Sequence, residues 1–139
     1  MAAREPPCRG VGPLKAVIDT SILVAYEVDG SGAEIEDGSV LSAMTIAELA
    51  HGVRAAQDHR SRERRARTLR TAERRFAVVP FTRRAAHRYG ELVALARTSG
   101  RRPAVSDAVI VATAIDLGLP VVTRDADFLV FDGLEVVLV

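Results

Sequence analysis

The stretch that decides the fold is Ser106–Phe128, SDAVIVATAIDLGLPVVTRDADF, in which a largely apolar helix leads into a buried strand and then into two acids. Val105–Leu117 has the length and pattern of a helix, and the apolar run ending at Val121–Thr123 predicts a strand. The carboxylates of Asp125 and Asp127 follow that strand with one residue between them. Like charges so close repel each other and are costly unless water or a cation compensates them. The stretch therefore raises the question of what these two acids hold.

Strands and helices alternate along the rest of the chain. The predicted strands are Ala16–Ile18, Val40–Ser42, Ala77–Pro80, Val121–Thr123 and Val136–Leu138. The predicted helices are Thr20–Val28, Thr45–Gln57, the arginine-rich stretch up to about Arg75, Arg83–Ser99 and Val105–Leu117. We expect Gly100 and Gly118 to end the last two helices, and Ser106 or a neighbour to cap the last one. This alternation predicts an α/β fold, with a parallel sheet covered by helices on both faces.

Length and composition describe one ordinary globular domain. The 139 residues are 48% apolar and 27% charged, and no apolar run is long enough to span a membrane. Residues 1–14 lack the apolar core of a signal peptide, so we predict a flexible tail followed by a single domain over residues 15–139. The one cysteine, Cys8, lies in that tail, which excludes an internal disulfide framework and fits a reducing cytoplasm. With 4% aromatics and no tryptophan, a stacking platform for single-stranded nucleic acid is not expected.

Four acids fall where predicted elements begin or end. Asp19 and Asp125 each follow a strand, and in open parallel sheets ligands bind in the crevice beyond the carboxyl ends of the strands. Glu48 and Asp107 lie in the first turns of two helices, where carboxylates are well tolerated. A lone aspartate at a helix start usually caps the helix, but several acids crowded at one edge repel one another without a cation. We therefore predict a site for Mg²⁺ or Mn²⁺, which prefer carboxylate oxygens.

Three segments carry a resemblance to a known family. They are VIDTSILVAYE (residues 17–27), SAMTIAELAHGV (42–53) and SDAVIVATAIDLGLPVVTRDADF (106–128). In order and spacing they resemble the PIN-domain nucleases, and most closely the VapC-type toxins of bacterial toxin–antitoxin pairs. The resemblance extends over residues 16–139. It implies a three-layer α/β/α sandwich around a mainly parallel sheet, and a metal-dependent endoribonuclease in which activated water hydrolyses RNA phosphodiester bonds.

The resemblance also implies roles for individual residues. The acids to which it gives a catalytic and metal-binding role are Asp19, Glu48, Asp107 and Asp125. Asp127 matches an adjacent acid that assists in holding the metal. Thr20 and Thr123 match hydroxyl positions that orient the carboxylates or the attacking water.

The partners implied by the resemblance are an RNA substrate, a cognate VapB-like antitoxin and a second copy of the chain in a homodimer. The implied outcome is inhibition of translation and growth in the cytoplasm.

The arginine-rich stretch, residues 54–75, has two interpretations. Of the 19 basic residues in the chain only one is a lysine, and many of the arginines fall here. The arginines with helical spacing are Arg60, Arg64, Arg67 and Arg74. They form either a solvated helix face or a surface for RNA phosphates or an acidic antitoxin segment, since arginine grips phosphate and carboxylate in bidentate fashion. Arg64 and Arg67 are the candidate contacts, and composition leaves both interpretations open.

Other classes of protein share parts of this pattern of acids. A receiver-like phosphoacceptor domain also gathers aspartates at strand ends, but it uses a late lysine, and the only lysine here is Lys15. A haloacid dehalogenase has Asp-x-Asp after its first strand, where this chain has Asp19-Thr20-Ser21. Glu48 and His51 form half of a di-iron motif, with no second copy, so we expect a surface histidine. A non-catalytic PIN-like module that binds RNA or protein is the remaining alternative.

Overall fold

The computed structural model of the protein describes residues 15–29 and 35–139. The predicted tail with Cys8, and residues 30–34 of the turn before the second strand, lie outside the described residues. The strands are β1 (Val17–Ile18), β2 (Val40–Ser42), β3 (Ala77–Val79), β4 (Val121–Thr123) and β5 (Val136–Leu138). The helices are α1 (Thr20–Asp29), α2 (Ala43–Ala55), α3 (His59–Arg75), α4 (Arg83–Thr98) and α5 (Val105–Leu117), with a short 3₁₀ helix at Ala126–Val130. No helix in these ranges is long and apolar enough to cross a membrane.

The five strands form one sheet in the order β3-β2-β1-β4-β5, and every pairing between them is parallel. The chain starts at the centre with β1, adds β2 and β3 on one side, and then crosses to add β4 and β5 on the other. The direction of winding therefore reverses between β1 and β4. A crevice opens at such a switch point, beyond the carboxyl ends of the two strands. The predicted α/β/α fold with a parallel sheet is confirmed.

At the centre of the sheet both faces are buried, which explains why β1 and β4 appear in the sequence as continuous apolar runs. On one face, Val17 and Val121 pack in a core with α4, α5 and the 3₁₀ helix. On the other face, Ile18 and Val122 pack in a core with α1, α2 and α3. Successive side chains of a strand point to opposite faces, so two-residue segments of β1 and β4 contribute to both cores.

Helix α5 is the most buried helix of the described chain. Its residues Ala108–Ala114 are all buried, as expected of a helix that is apolar around its circumference. Gly118 adopts φ +67° and ends the helix as predicted. The predicted cap was wrong, because Ala104 occupies the N-cap position without a side-chain hydrogen bond and Ser106 is already the second helical residue.

Helix α2 begins two residues earlier than predicted. Its N-cap is Ser42, whose hydroxyl accepts a hydrogen bond from the backbone N–H of Met44 at 3.1 Å. Ser42 is also the last residue of β2, so strand and helix adjoin with no loop between them. The predicted start at Thr45 missed this because a serine inside an apolar run gives no sign that it serves both elements.

Two arginines of the arginine-rich stretch have a structural role. Arg65 Nη1 donates a hydrogen bond to the carbonyl oxygen of Gly52 at 2.7 Å, and Arg62 Nη2 donates to that of Ala56 at 3.0 Å. Both carbonyls lie at the carboxyl end of α2, where unpaired oxygens and the helix dipole favour a cation. These arginines fasten α3 to α2 and are not available to a partner.

Candidate active site

The predicted acids come from elements that meet at the switch point of the sheet. Asp19 directly follows β1, and Asp125 is the second residue after β4, the strand paired with β1. Glu48 lies in the second turn of α2, and Asp107 lies in the first turn of α5. We call this carboxyl edge of the sheet, together with its acids, the acid edge.

Asp19 is the most firmly held of these acids. It is 5% exposed, and its side chain accepts three hydrogen bonds, all at Oδ2. The donors are Ser21 Oγ at 2.7 Å, Thr123 Oγ1 at 2.8 Å and the backbone N–H of Ser21 at 3.3 Å. Within the described part of the chain Oδ1 accepts none. One carboxylate oxygen is thus held by the protein while the other has no hydrogen bond to a described residue.

Two chains of hydrogen bonds tie the turn after β4 to Asp19. In one, the backbone N–H of Arg124 donates to Ser21 Oγ at 3.0 Å, and Ser21 Oγ donates to Asp19. In the other, the backbone N–H of Asp125 donates to Thr123 Oγ1 at 3.0 Å, and Thr123 Oγ1 donates to Asp19. Hydrogen bonds in such chains polarise one another. They fix the positions of two acids that are distant in sequence.

Ser21 was missing from the predicted site residues. Its signal is local, since a serine two residues after an aspartate at a helix start commonly folds back onto that carboxylate. The family resemblance drew attention to Thr20, whose hydroxyl serves a different acid. Thr20 Oγ1 donates to Glu48 Oε1 at 2.8 Å, which joins the start of α1 to α2. In the described structure Glu48 Oε2 has no hydrogen-bond partner.

The pKa of Asp107 shows how crowded the acid edge is. Burial, and then the charges of Asp19, Asp125, Glu48 and Asp127 in that order, together raise the pKa of its carboxyl group from 3.8 to about 6. No hydrogen bond to another described residue stabilises its charged form. The other four predicted acids therefore all act electrostatically on Asp107.

Asp125 and Asp127 differ in how they are held. Asp125 Oδ1 accepts a hydrogen bond from the backbone N–H of Asp127 at 2.9 Å and so caps the 3₁₀ helix. Capping accounts for one oxygen of Asp125. It does not account for the side chain of Asp127, which is exposed.

The donor chemistry of the acid edge fits a hard divalent cation, because every candidate ligand is a carboxylate. Asp19 and Glu48 each keep one oxygen without a hydrogen bond, and Asp107 keeps both. As the side chains stand, no three or more Asp, Glu, His or Cys side chains in the described residues are arranged to hold a metal ion. Binding one requires these side chains to move closer together, and their role as ligands stays a prediction.

Two residues that bear on the competing classes lie away from this site. Lys15 precedes β1, and the far end of its side chain lies against Gly38, in the turn before β2. It therefore lies at the amino edge of the sheet, opposite the acids, which counts against a receiver-like site. His51 is exposed on α2, as expected of a surface histidine.

A second concave surface, the α1–α3 groove, lies between these two helices and has a volume of about 270 Å³. The apolar residues that line it include Ile22, Leu23, Ile35 and Phe76, and the arginines are Arg64, Arg67 and Arg75. Arg64 Nε forms an ion pair with Glu27 Oε1 at 2.9 Å, whereas the side chain of Arg67 has no such partner among the described residues. Arg60 and Arg74 lie on the same helix but outside the groove.

Comparison with known proteins assigns the family. The model of the PIN domain matches residues 16–134 of the chain. Ribonuclease VapC5 of Mycobacterium tuberculosis strain H37Rv is 33% identical over 126 residues, covering 87% of this chain and 90% of the relative. Ribonuclease VapC8 of M. tuberculosis is 39% identical over 110 residues, covering 76% of this chain and 91% of the relative.

Solved structures agree with this assignment. The crystal structure of VapBC-5 from M. tuberculosis, a member of the VapBC family of toxin–antitoxin systems, has 33% identity and a TM-score of 0.80, and the match covers 91% of this chain and all of that one. VapBC2 from Rickettsia felis, bound to a DNA fragment from its promoter, shares the fold with a TM-score of 0.79 at 20% identity, over 89% of this chain and 98% of that one. The chain therefore belongs to the PIN-domain family, and within that family to the VapC group.

Proposed function

We propose that this protein is a divalent-metal-dependent endoribonuclease and acts in the cytoplasm as the toxin of a toxin–antitoxin pair, inhibiting translation and growth. The observation that carries the proposal is the placement of five acids at the switch point, where burial and the charges of the other four raise the pKa of Asp107 to about 6. Such crowding is unfavourable until a positive charge binds. The name ribonuclease, borne by the VapC5 and VapC8 relatives, supports RNA as the substrate.

The residues proposed to hold Mg²⁺ or Mn²⁺ are Asp19, Glu48, Asp107 and Asp125, with Asp127 beside them. When bound, the cation would supply an activated water as nucleophile and neutralise charge on the phosphoryl oxygens. Water adds to phosphorus, the bond from phosphorus to the leaving sugar oxygen breaks, and a proton passes to that oxygen.

The chain's own contribution to this reaction is to hold its carboxylates in place. Ser21 and Thr123 hold Oδ2 of Asp19 by hydrogen bonds and leave Oδ1 without one. Thr20 does the same for Glu48 by binding Oε1. Orientation of this kind is worth roughly 10–100-fold in the metal affinity or activity of comparable sites.

The test compares aspartate-to-asparagine variants that differ only in location. Asp19→Asn and Asp107→Asn should each lower RNA cleavage by a hundredfold or more, on the order of the loss when a transition-state charge partner is removed. Asp37→Asn, in the exposed turn before β2, removes the same charge at the opposite edge and should cleave like the wild type. EDTA should stop the wild type, and Mn²⁺ should restore it. Cleavage that persists in EDTA, or in Asp107→Asn, contradicts the proposal.

We also propose that the α1–α3 groove receives a segment of a VapB-like antitoxin. Its apolar lining fits apolar side chains, and Arg67 and Arg75 along its side fit carboxylates of the same segment. The VapBC complexes among the solved relatives support an antitoxin as the occupant. RNA is the competing occupant, since phosphates bind arginine equally well.

A single variant, Arg67→Ala, distinguishes an antitoxin segment from RNA as the occupant of the groove. Arg67→Ala is preferable to Arg64→Ala, because loss of Arg64 would strand Glu27, whose side chain is only 10% exposed. If the antitoxin occupies the groove, Arg67→Ala should weaken co-purification with the antitoxin and leave RNA affinity intact. If RNA affinity falls and its dependence on salt flattens instead, the groove binds RNA.

The homodimer implied by the resemblance is part of the proposal, and sedimentation of the purified chain tests it. A non-catalytic PIN-like module remains the alternative function. It predicts no RNA cleavage, with or without Mn²⁺.

A further inference from the structure

A third concave surface adjoins the acid edge and has not been assigned a role. It has a volume of about 260 Å³, and its lining includes Asp107 and Asp127 together with Arg101 and Arg102. The two arginines lie on the loop between α4 and α5, immediately before α5 begins. Two arginines therefore share one cavity with two of the proposed metal ligands. We call it the loop cavity.

The arginines of the loop cavity are not used to hold the protein together. Both are exposed, and within the described residues neither side chain forms an ion pair or a hydrogen bond. Several other arginines do have such a role, as when Arg62 and Arg65 bind carbonyls of α2. Opposite charges that face one cavity without pairing leave both available to a ligand.

The loop restricts the backbone conformation of the two arginines. The backbone N–H of Arg101 donates to the carbonyl of Ala96 at 2.9 Å, which anchors the start of the loop to the end of α4. Gly100 precedes it with φ +73°, a conformation that favours glycine. Pro103 follows Arg102 and disfavours the helical conformation for it. Less conformational freedom is then lost when an anion binds.

We propose that Arg101 and Arg102 form a subsite for an RNA backbone phosphate that neighbours the phosphate to be cleaved. This inference rests on the proposed ribonuclease function and names how that site holds its substrate. A strand whose scissile phosphate lies at the acid edge passes the loop cavity, and the guanidinium groups offset the repulsion between the carboxylates and the RNA.

The composition of the cavity indicates that it binds backbone and does not read bases. No aromatic ring lines it, so bases have nothing to stack on. Phosphate contacts position a nucleic acid and contribute affinity that does not depend on sequence. The subsite should therefore act equally on unrelated RNAs.

The experiment measures RNA binding in an Asp19→Asn background, which is expected not to cleave. Fluorescence anisotropy with two labelled single-stranded RNAs of unrelated sequence gives the affinity at several salt concentrations. Adding Arg101→Ala and Arg102→Ala should weaken both RNAs to the same degree, on the order of tenfold, and flatten the slope of log K against log salt by roughly 1, since released counterions are fewer. With Asp19 intact, the same two substitutions should not weaken Mn²⁺ binding, because neither arginine is a proposed metal ligand.

The matched control is Arg83→Ala with Arg97→Ala, which removes two exposed charges from α4 outside the loop cavity. This pair should change RNA affinity by less than about twofold, because exposed charges at a distance are screened. Equal affinity and equal salt slope in the two double variants would overturn the subsite. A wild type that fails to cleave RNA in Mn²⁺ would refute the proposed function instead, so the two failures are distinguishable. In an otherwise wild-type chain, the Arg101/Arg102 variant should raise KM more than it lowers kcat.

Discussion

The acid edge and the α1–α3 groove carry opposite charges and are constructed in opposite ways. At the acid edge, Asp19 is buried and fixed by residues up to 104 positions away in the sequence, such as Thr123. In the groove, the arginines project from one helix, and Arg67 has no partner among the described residues. A rigid frame suits a small ion that needs several oxygens at fixed positions. Long arginine side chains around an apolar lining suit an extended partner segment.

The largest expected effect is on RNA cleavage, when the hydroxyl groups that hold Asp19 are removed. Ser21→Ala and Thr123→Val each break one chain of hydrogen bonds to Asp19, and each should lower RNA cleavage about 10–100-fold, as loss of a group that orients a metal ligand does. Cleavage rates at saturating Mn²⁺ measure the effect.

Thr113→Val is the control for these variants. It also removes a buried hydroxyl, but one that bonds only to the carbonyl of Val109 within α5. Its cleavage rate should stay near that of the wild type. Equal losses in all three variants would mean that the effect comes from general destabilisation.

A smaller difference, in the free energy of unfolding, is expected between two arginines of α3. Arg65→Ala frees a carbonyl of α2 and should lower the free energy of unfolding by about 1.5–3 kcal/mol, the usual range for a lost hydrogen bond to a charged group. Arg67→Ala, which breaks no such bond, should stay within about 0.5 kcal/mol of the wild type. Urea denaturation of both variants measures this. A costly Arg67→Ala would contradict the view that the side chain of Arg67 is free for a partner.

The smallest effect is a pH dependence that belongs to the acid edge alone. The pKa of Asp107 is raised in the folded protein, from 3.8 to about 6. Between these values the folded chain keeps a proton that the unfolded chain has lost, so the free energy of unfolding falls as the pH rises. We expect a fall of about 1 kcal/mol, less than the full shift implies because this half-buried group is screened by solvent.

Asparagine substitutions separate this contribution from that of other groups. In metal-free buffer, Asp107→Asn should lack the fall in unfolding free energy across that pH window, and Asp37→Asn should keep it. Identical pH profiles for wild type and Asp107→Asn would show that the acids are less crowded than the structure indicates.

Periodicity and charge placement are strong sequence signals, and they predicted much of this molecule. The strand residues Val121–Thr123 and the helix stop at Gly118 are encoded locally, and both appear as predicted. The positions of Asp19 and Asp125 at the ends of paired strands follow from a parallel sheet once the strands are known.

Local sequence patterns could not predict the contacts between segments that are distant in sequence. The hydrogen bonds from the backbone N–H of Arg124 to Ser21 and from Thr123 to Asp19 span more than 100 residues, and no local pattern specifies them. Nor does the sequence distinguish Arg65, which binds a carbonyl, from Arg67, which lines a groove, since both are arginines of one helix.

Calorimetric titration of Mn²⁺ into the wild type, Asp107→Asn and Asp37→Asn at pH 7.5 and pH 5 tests the central claim most directly, that the acids at the switch point form a metal site. The account predicts binding by the wild type and Asp37→Asn at pH 7.5, weaker binding by both at pH 5 because the carboxyl group of Asp107 must first release its proton, and little binding by Asp107→Asn at either pH. Equal binding of Mn²⁺ by Asp107→Asn and the wild type would contradict it.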